Sequence, residues 1–376
     1  MAGIYIHIPF CKQRCTYCNF HFSTSLALKE ALLTALHKEL ESRNQYLQQQ
    51  PVETIYLGGG TPSLLSADEI NRLFDTISNH YTIHALQEVT LEANPDDLTN
   101  DYVKSLSSTP VNRLSIGVQS FQDDDLKFMH RAHTASQADY AIKSAQDRGF
   151  EKLTIDLIYG SPHLTDADWK QNITRVQQLQ IPHFSAYALT VESGTLLHHQ
   201  IRKEKLPPLD QDKAASQLGI LMDTAMDLGY EHYEISNLAL PQQYAIHNTN
   251  YWMGHHYLGI GPSAHSFDGV SRRWNIANNA LYIKQVLTTT PQPYFEEEQL
   301  SAQDRLHEYI MTSLRTQWGC DLKKVKENFG QSYTEAILDS ATTHLQRKIL
   351  QINNDILTLT REGKFFADRI ASDLFV

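Results

Sequence analysis

Three cysteines near the start of the chain have the spacing of metal ligands. Cys11, Cys15 and Cys18 follow the pattern Cys-x3-Cys-x2-Cys, and the whole chain has four cysteines. A disulfide framework would need more cysteines, spread along the chain. With His7 or His21 as a fourth ligand, the three thiolates would hold zinc. By themselves they would hold three irons of an iron–sulfur cube and leave one iron open. The spacing does not decide between the two.

A second group of residues lies where predicted strands end. Gly58-Gly59-Gly60-Thr61-Pro62 exposes backbone to which a polar ligand can come close. Glu92 ends the next strand and could bind a hydroxyl or ammonium group, and Gln119 ends the following one. Arg131 can meet a carboxylate, and Asp156 is a charge within an apolar strand, costly to bury without a partner or ligand. Each alone fits a salt bridge or a cap; together they predict a site for a zwitterionic ligand with a ribose.

The elements that would position these residues alternate between strand and helix. Strands are predicted over 3–10, 52–57, 88–93, 111–118, 152–158 and 183–189. Helices are predicted over 27–49, 67–79, 99–107, 123–129, 136–147 and 166–179. This alternation predicts a parallel α/β sheet curled into a full or partial barrel. In such folds the loops at the carboxyl ends of the strands carry the chemistry.

The second half of the chain is less regular. A connector over 204–210 leads to a helix over 211–228, and a long loop rich in glycine, histidine and aromatic residues is predicted up to Trp274. Three helical patterns and a two-stranded ribbon over 349–360 then form a winged-helix-like arrangement, with Cys320 as a buried structural cysteine. The predicted domains are 1–240, 241–290 and 291–376, with the last boundary within 288–295.

Composition and charge exclude several classes of protein. The chain has 376 residues, of which 41% are hydrophobic and 20% are charged, as in ordinary globular proteins. A net charge of −11 without a basic stripe argues against nucleic acid as a partner. No apolar run reaches the roughly 18 residues that a bilayer span needs. No secretory signal is visible, so the predicted location is the cytoplasm.

The motifs resemble one family closely. Four segments resemble the oxygen-independent coproporphyrinogen III oxidase family of radical S-adenosylmethionine (SAM) proteins: Tyr5–Cys11, Gly58–Pro62, Gly117–Ser120 and Asp156–Gly160. The resemblance covers most of the first 270 residues. It implies an α/β fold, a radical SAM partial (β/α)6 TIM-like barrel with a small C-terminal helical, winged-helix-like domain.

The resemblance also implies two cofactors and the residues that hold them. A [4Fe-4S] cluster would lie on Cys11, Cys15 and Cys18, and SAM would chelate the open iron through its amine and carboxylate. Tyr5 and Tyr17 would flank the methionine and the cluster. The remaining SAM positions would be Gly59, Gly60 and Thr61 at the amino group, Glu92, Gln119, Arg131 and Asp156 at the carboxylate and ribose, and the Ala188 backbone near the adenine.

Three features are similar to a heme-chaperone branch of this family that lacks the oxidase activity. Asn19-Phe20 stands where the oxidases have a further cysteine, and the first strand lacks the long segment that precedes it in the oxidases. The stretch from His247 to Trp252 matches the His-Asn-x-x-Tyr-Trp motif of that branch. The branch implies a protein that binds heme and transfers it to respiratory acceptor proteins. The alternative is a radical SAM enzyme of tetrapyrrole metabolism, a coproporphyrinogen III oxidase or dehydrogenase, so catalysis stays open.

Heme binding would involve the same motif. His247 is the predicted ligand of the heme iron, in competition with His255, His256 and His265. Tyr251 and Trp252 would stack on the porphyrin, and Arg272 and Arg273 would pair with its propionates. Alternatively, the loop plugs the open side of the barrel and its histidines are satisfied by hydrogen bonds. Peripheral association with a membrane and a homodimer are further expectations that the sequence does not decide.

Overall fold

Six parallel strands with intervening helices make up the first half of the structure. The structure is a computed structural model that describes residues 2–288 and 293–376. In chain order the elements are β1 (Ala2–Ile8), α1 (Lys29–Ser42), β2 (Val52–Gly59), α2 (Ala67–His80), β3 (Glu88–Ala93), α3 (Asn100–Leu106), β4 (Arg113–Gln119), α4 (Asp123–Phe128), α5 (Ala135–Asp147), β5 (Lys152–Tyr159), α6 (Asp166–Gln178) and β6 (His183–Ala188). Strands β1 to β6 are neighbours in sequence order, and each pair is parallel. The predicted parallel α/β sheet is confirmed.

The two faces of this sheet differ in chemistry, because successive strand residues point to opposite sides. On β1, Ile4, Ile6 and Ile8 are fully buried in the hydrophobic core. The opposite face is polar: Thr54 bonds the His247 ring, and Tyr56 donates to Glu92. Polar side chains thus line the concave side of the sheet and lead up to the carboxyl ends of the strands.

The second half of the chain extends the sheet at both edges. Its elements are α7 (Leu196–Arg202), α8 (Gln211–Asp227), β7 (Glu231–Glu234), β8 (Asn237–Ala239), α9 (Ile246–Trp252), β9 (His256–Ile260), β10 (His265–Phe267), β11 (Ser271–Asn275), α10 (Asn279–Leu287) and β12 (Phe295–Gln299). The strand order is β12-β11-β10-β9-β1-β2-β3-β4-β5-β6-β8-β7. The prediction of a long loop up to Trp274 is therefore wrong: this stretch contains α9 and three strands.

The predicted helix over 27–49 was also too long. Helix α1 ends at Ser42, and Gln48 and Gln49 have φ values of 51° and 64°, which a helix cannot contain. Leu47 fits the helical pattern of apolar residues because it is buried in the core. It lies in a turn after the helix, however, and not in the helix itself.

The C-terminal part has its own hydrophobic core. Its elements are α11 (Ala302–Leu314), β13 (Cys320–Asp321), α12 (Leu322–Phe329), α13 (Gln331–Gln346), β14 (Leu350–Asn353), β15 (Ile356–Leu359) and α14 (Ala367–Asp373). Cys320 is fully buried in this core, and burial raises the pKa of its thiol to about 12. Part of the predicted boundary, residues 289–292, lies outside the described residues. None of the helices among the described residues combines the length and the apolar composition that a membrane span requires.

Candidate functional site

A cavity of about 400 Å³ opens at the carboxyl ends of the parallel strands. It gathers almost all the predicted site residues. Those that line it are Cys11, Cys15, Tyr17, Cys18, Gly59, Gly60, Thr61, Glu92, Gln119, Arg131, Asp156 and Ala188. Tyr5 and His247 are not among the lining residues. The roles assigned to all of these residues remain predictions, but their convergence on one space is a property of the fold.

The three cysteine thiols face this space from one loop. The loop is tied at both ends, since the Cys11 amide donates to the Ser23 carbonyl (3.0 Å) and the Thr16 amide to the Met129 carbonyl (3.1 Å). Burial and the neighbouring Cys18 and Cys15 thiols raise the pKa of Cys11 to about 11, although Thr61 and Arg131 oppose the rise. Iron bound to such thiols would deprotonate them and offset their mutual repulsion. This set of donors therefore fits an iron–sulfur cluster.

The two candidate zinc ligands are engaged elsewhere. His7 contacts the Tyr5 hydroxyl through Nδ1 (3.0 Å) and the His21 carbonyl through Nε2 (2.9 Å). The His21 ring contacts Asn279 Oδ1 at 2.7 Å. Among the described residues, no group of three His, Cys, Asp or Glu side chains surrounds a single metal position. A cube accommodates the spread of the thiols better, because each sulfur binds a different iron.

The glycine-rich end of β2 lies directly against the start of the cysteine loop. The Gly60 amide donates to the Ile8 carbonyl (2.9 Å), and a Cβ at Gly60 would be 2.6 Å from the Phe10 carbonyl oxygen. Gly59 has a φ of 109°, and a Cβ there would meet the His7 ring at 2.6 Å. Only glycine fits at both positions, so backbone rather than side chain faces the cavity here.

Two carboxyl groups inside the cavity have raised pKa values. Glu92 accepts hydrogen bonds from the Tyr56 hydroxyl (2.8 Å) and the Gly59 amide (3.0 Å), and burial raises its pKa to about 7, with Asp156 adding to the rise. Burial likewise raises the pKa of Asp156 to about 6. A ligand that brings an ammonium group or hydroxyl donors would stabilise both charged forms.

Arg131 and Gln119 complete the polar wall. Arg131 donates through Nη2 to Asn94 Oδ1 (2.6 Å) and the Gly117 carbonyl (2.7 Å), and through Nη1 to Cys15 Sγ (3.3 Å). Its buried Nε has no hydrogen-bond partner among the described residues, which leaves a donor for a ligand carboxylate. Gln119 has a φ of 67°, and the pairing of β4 with β5 shifts there. Such strain concentrates at functional sites.

The two predicted tyrosines lie at different levels. Tyr17 lines the cavity, and burial raises the pKa of its hydroxyl. Tyr5 lies beneath the cavity, where its ring stacks on Tyr56 with a centroid distance of 6.0 Å and its hydroxyl contacts His7. Tyr5 therefore supports Tyr56, which itself lines the cavity and holds Glu92.

His247 is buried on the concave side of the sheet, away from the cavity lining. Its Nδ1 contacts Thr54 Oγ1 (2.8 Å), its Nε2 contacts the Tyr251 hydroxyl (2.7 Å), and its ring lies 5.2 Å from that of Tyr56. Burial lowers its pKa to about 3. The Glu88 carboxylate accepts the His247 amide (3.0 Å) at the start of α9. Both ring nitrogens are thus engaged; heme ligation by His247 stays a prediction.

Other groups expected to contact heme also have partners within the protein. Arg272 pairs with Glu308 at 2.9 Å, and Arg273 pairs with Glu297 at 2.5 Å. Pairing with heme propionates would therefore require these two arginines to exchange or share their present partners. The Trp252 ring lies 5.4 Å from the Arg315 guanidinium.

Comparisons with known proteins identify the family. The Radical SAM superfamily model matches residues 5–176, and the HemN C-terminal domain model matches residues 300–366. The heme chaperone HemW of Lactococcus lactis is 33% identical over 96% of this chain and 93% of its own length. The heme chaperone HemW of Bacillus subtilis is 32% identical over 98% of each. This chain belongs to the HemW family.

A solved structure agrees with the HemW family's radical SAM fold. The Escherichia coli protein described as coproporphyrinogen III oxidase (HemN), a radical SAM enzyme, superposes with a TM-score of 0.86, covering 100% of this chain and 90% of that one. At 21% identity this similarity shows the fold alone. The predicted fold class is confirmed, and membership of the radical SAM superfamily implies a [4Fe-4S] cluster and SAM.

Several cavity residues of this HemW family member were not predicted from the sequence. Ser115, Ser185 and Tyr187 line the cavity beside Asp156. A pattern could have revealed Ser115, since Arg113, Ser115, Gly117 and Gln119 alternate along one face of β4. Ser185 and Tyr187 alternate in the same way on β6, but nothing in their residue types distinguishes them from ordinary strand residues.

Proposed function

We propose that this protein is a heme chaperone that binds a [4Fe-4S] cluster, SAM and heme, and transfers heme to respiratory acceptor proteins. The observation that carries the proposal is its similarity, over nearly the full length, to proteins described as heme chaperones. Its proposed location is the cytoplasm, with peripheral contact at a membrane where acceptors are bound. Homodimerisation stays a prediction.

The cavity supports the cofactor part of the proposal. Cys11, Cys15 and Cys18 would hold the cluster, which when bound supplies an open iron for the amine and carboxylate of SAM. The free Nε of Arg131 is suited to a carboxylate. The carboxyl groups of Glu92 and Asp156, which both line the cavity, are suited to accept hydrogen bonds from an ammonium group or from ribose hydroxyls.

The test is anaerobic reconstitution, followed by measurement of iron, sulfide, SAM and heme per chain. We expect about four irons and four sulfides, saturable SAM binding and a Soret band on heme titration. Cys11→Ala should lose the cluster, whereas Cys320→Ala should keep it, because Cys320 lies in the C-terminal core. Transfer is then measured as loss of the Soret band from the chaperone and its appearance on a heme-free respiratory cytochrome.

Two results would contradict the proposal. A reconstituted protein without a Soret band on heme titration cannot be a heme chaperone. Anaerobic formation of protoporphyrinogen IX from coproporphyrinogen III would instead support the alternative, a radical SAM enzyme of tetrapyrrole metabolism.

A further inference from the structure

A chain of hydrogen bonds leads from the cavity to the C-terminal part of the protein. Asp156 lies opposite Ser185 in the pairing of β5 with β6, and both residues line the cavity. Ser185 Oγ donates to Asn237 Oδ1 (3.1 Å), and Asn237 Nδ2 donates to Glu234 Oε2 (2.6 Å). Arg315 Nε, at the end of α11, donates to Glu234 Oε1 (3.1 Å). Three hydrogen bonds thus connect Ser185, which lies beside Asp156 in the cavity, to a residue of the C-terminal part.

The direction of each hydrogen bond in this chain is fixed by Glu234. A carboxylate only accepts, so the Asn237 amide must turn its NH2 group to Glu234 and its oxygen to Ser185. Ser185 has a single hydroxyl proton, and Asn237 Oδ1 takes it. That proton is then not available to Asp156. The Asp156 oxygens remain free to accept hydrogen bonds from hydroxyls of a ligand in the cavity.

Glu234 is paired with a cation of the C-terminal part. Glu234 is 1% exposed, and a buried carboxylate is stable only when it is paired and hydrogen-bonded. Its cationic partner is Arg315, which also pairs with Asp368 at 2.8 Å. The backbone is tied at the same place, because the Ile235 amide donates to the Arg315 carbonyl (3.0 Å). Arg315 therefore offsets the cost of burying the Glu234 carboxylate, which orients Asn237.

We propose that Glu234 and Asn237 are positioning residues for the ribose of SAM, and that Arg315 makes the C-terminal part contribute to the SAM site. They act through Ser185, by keeping its proton away from Asp156. The inference rests on the proposed function, which places the ribose hydroxyls of SAM against Asp156.

The test compares two ligands on the anaerobically reconstituted full-length protein: SAM, and an analogue of SAM whose ribose lacks both hydroxyls. In Glu234→Gln the amide can donate as well as accept, so Asn237 can turn over and Ser185 can donate to Asp156. We expect the Kd of SAM to rise about three- to tenfold, the effect of one weakened hydrogen bond. The Kd of the analogue should change less than about twofold, since it lacks the hydroxyls concerned.

Two further variants separate positioning from general damage. In a Ser185→Ala background, Glu234→Gln should no longer change SAM affinity, because no hydroxyl transmits the change. Arg361→Met removes another ion pair of the C-terminal part, Arg361–Asp223 at 2.7 Å, and should leave both Kd values unchanged. If Glu234→Gln does not fold, Asn237→Ala gives the same test, since it also releases the Ser185 proton.

The outcomes are distinct. Equal weakening of both ligands, an unchanged SAM Kd, or an effect that persists without Ser185 overturns the inference and leaves the proposed function intact. If the wild-type protein binds heme and its cluster but no SAM, the SAM part of the proposed function is wrong, and the inference fails with it.

Discussion

Glu92 and Asp156 face a cavity in which neither carboxyl group has a cationic side chain bonded to it in the described structure. Glu92 is held by two neutral donors, the Tyr56 hydroxyl and the Gly59 amide. Both donors favour the charged carboxylate, but burial outweighs them and its pKa rises. The protein therefore maintains a site that is costly to ionise and is ready for a ligand with positive charge or hydroxyl donors.

Glu92 should make the ligand-free protein less stable as the pH rises. Its folded pKa of about 7 lies above the ordinary 4.5, so the folded state binds more protons than the unfolded state between these values. The free energy of unfolding of wild type relative to Glu92→Gln should fall by about 1–3 kcal/mol from pH 5 to pH 8. Urea unfolding of both proteins at each pH measures this difference.

The comparison with Glu92→Gln is needed because other groups titrate in the opposite direction. Burial lowers the pKa of His7 and His133 to about 4, so their contribution to stability grows as the pH rises through this window. Those contributions cancel between wild type and variant. A difference that is constant from pH 5 to pH 8 would contradict the raised pKa of Glu92.

Among the elements, helix α9 closes the concave side of the sheet below the cavity. It begins at the Glu88 carboxylate, which accepts the Ile246 and His247 amides (2.8 and 3.0 Å). His247 then connects Thr54 of β2 to Tyr251 at the other end of the helix. Gly3 is required beside it, because a Cβ there would be 3.0 Å from the His247 ring. We propose that His247 has a packing role.

Replacing His247 should therefore affect stability more than heme binding. His247→Ala leaves the buried Thr54 and Tyr251 hydroxyls without this partner and opens a cavity, which should cost about 2–4 kcal/mol of unfolding free energy. His265→Ala, at an exposed position, should cost less than about 0.5 kcal/mol. At a temperature where both variants are folded, both should show the wild-type Soret maximum. A Soret band lost in His247→Ala at unchanged stability would instead support His247 as the heme ligand.

The elements also show which features can be predicted from sequence. Strand ends were predictable because Gly59, Glu92 and Asp156 interrupt apolar strands with residues that need a specific environment. The pairing of β9 with β1 was not, because β9 is short and its partner is about 250 residues away in the chain. The environment of His247 was equally hidden: its residue type suits an iron ligand and a buried hydrogen-bonding group alike, and only the neighbours decide.

At the scale of the whole molecule, the C-terminal part contacts β7 through polar groups. Lys364 Nζ donates to the His232 carbonyl at 3.2 Å. Burial lowers the pKa of Lys364 to about 8, although Glu234 opposes this. An ammonium group is thus retained at this interface at some cost to stability.

Lys364 should make the protein more stable at alkaline pH. Its folded pKa lies below the ordinary 10.5, so the folded state binds fewer protons than the unfolded state between pH 8 and 10.5. The unfolding free energy of wild type relative to Lys364→Met should rise by about 1–2 kcal/mol from pH 7.5 to pH 10. Urea titrations of the two proteins at both pH values measure the change. A difference that stays constant would show that Lys364 is solvated as in the unfolded chain.

The position of β1 has a consequence for the order in which the protein can fold. β1 lies between β2 and β9, and its pairing with β9 runs from Ala2↔His256 to Ile6↔Ile260. During synthesis, one edge of the strand that leads into the cysteine loop therefore has no partner until residue 260 has left the ribosome. An open strand edge invites wrong pairing. We therefore expect the strand that leads into the cluster loop to gain its second neighbour only after most of the parallel sheet has been synthesised.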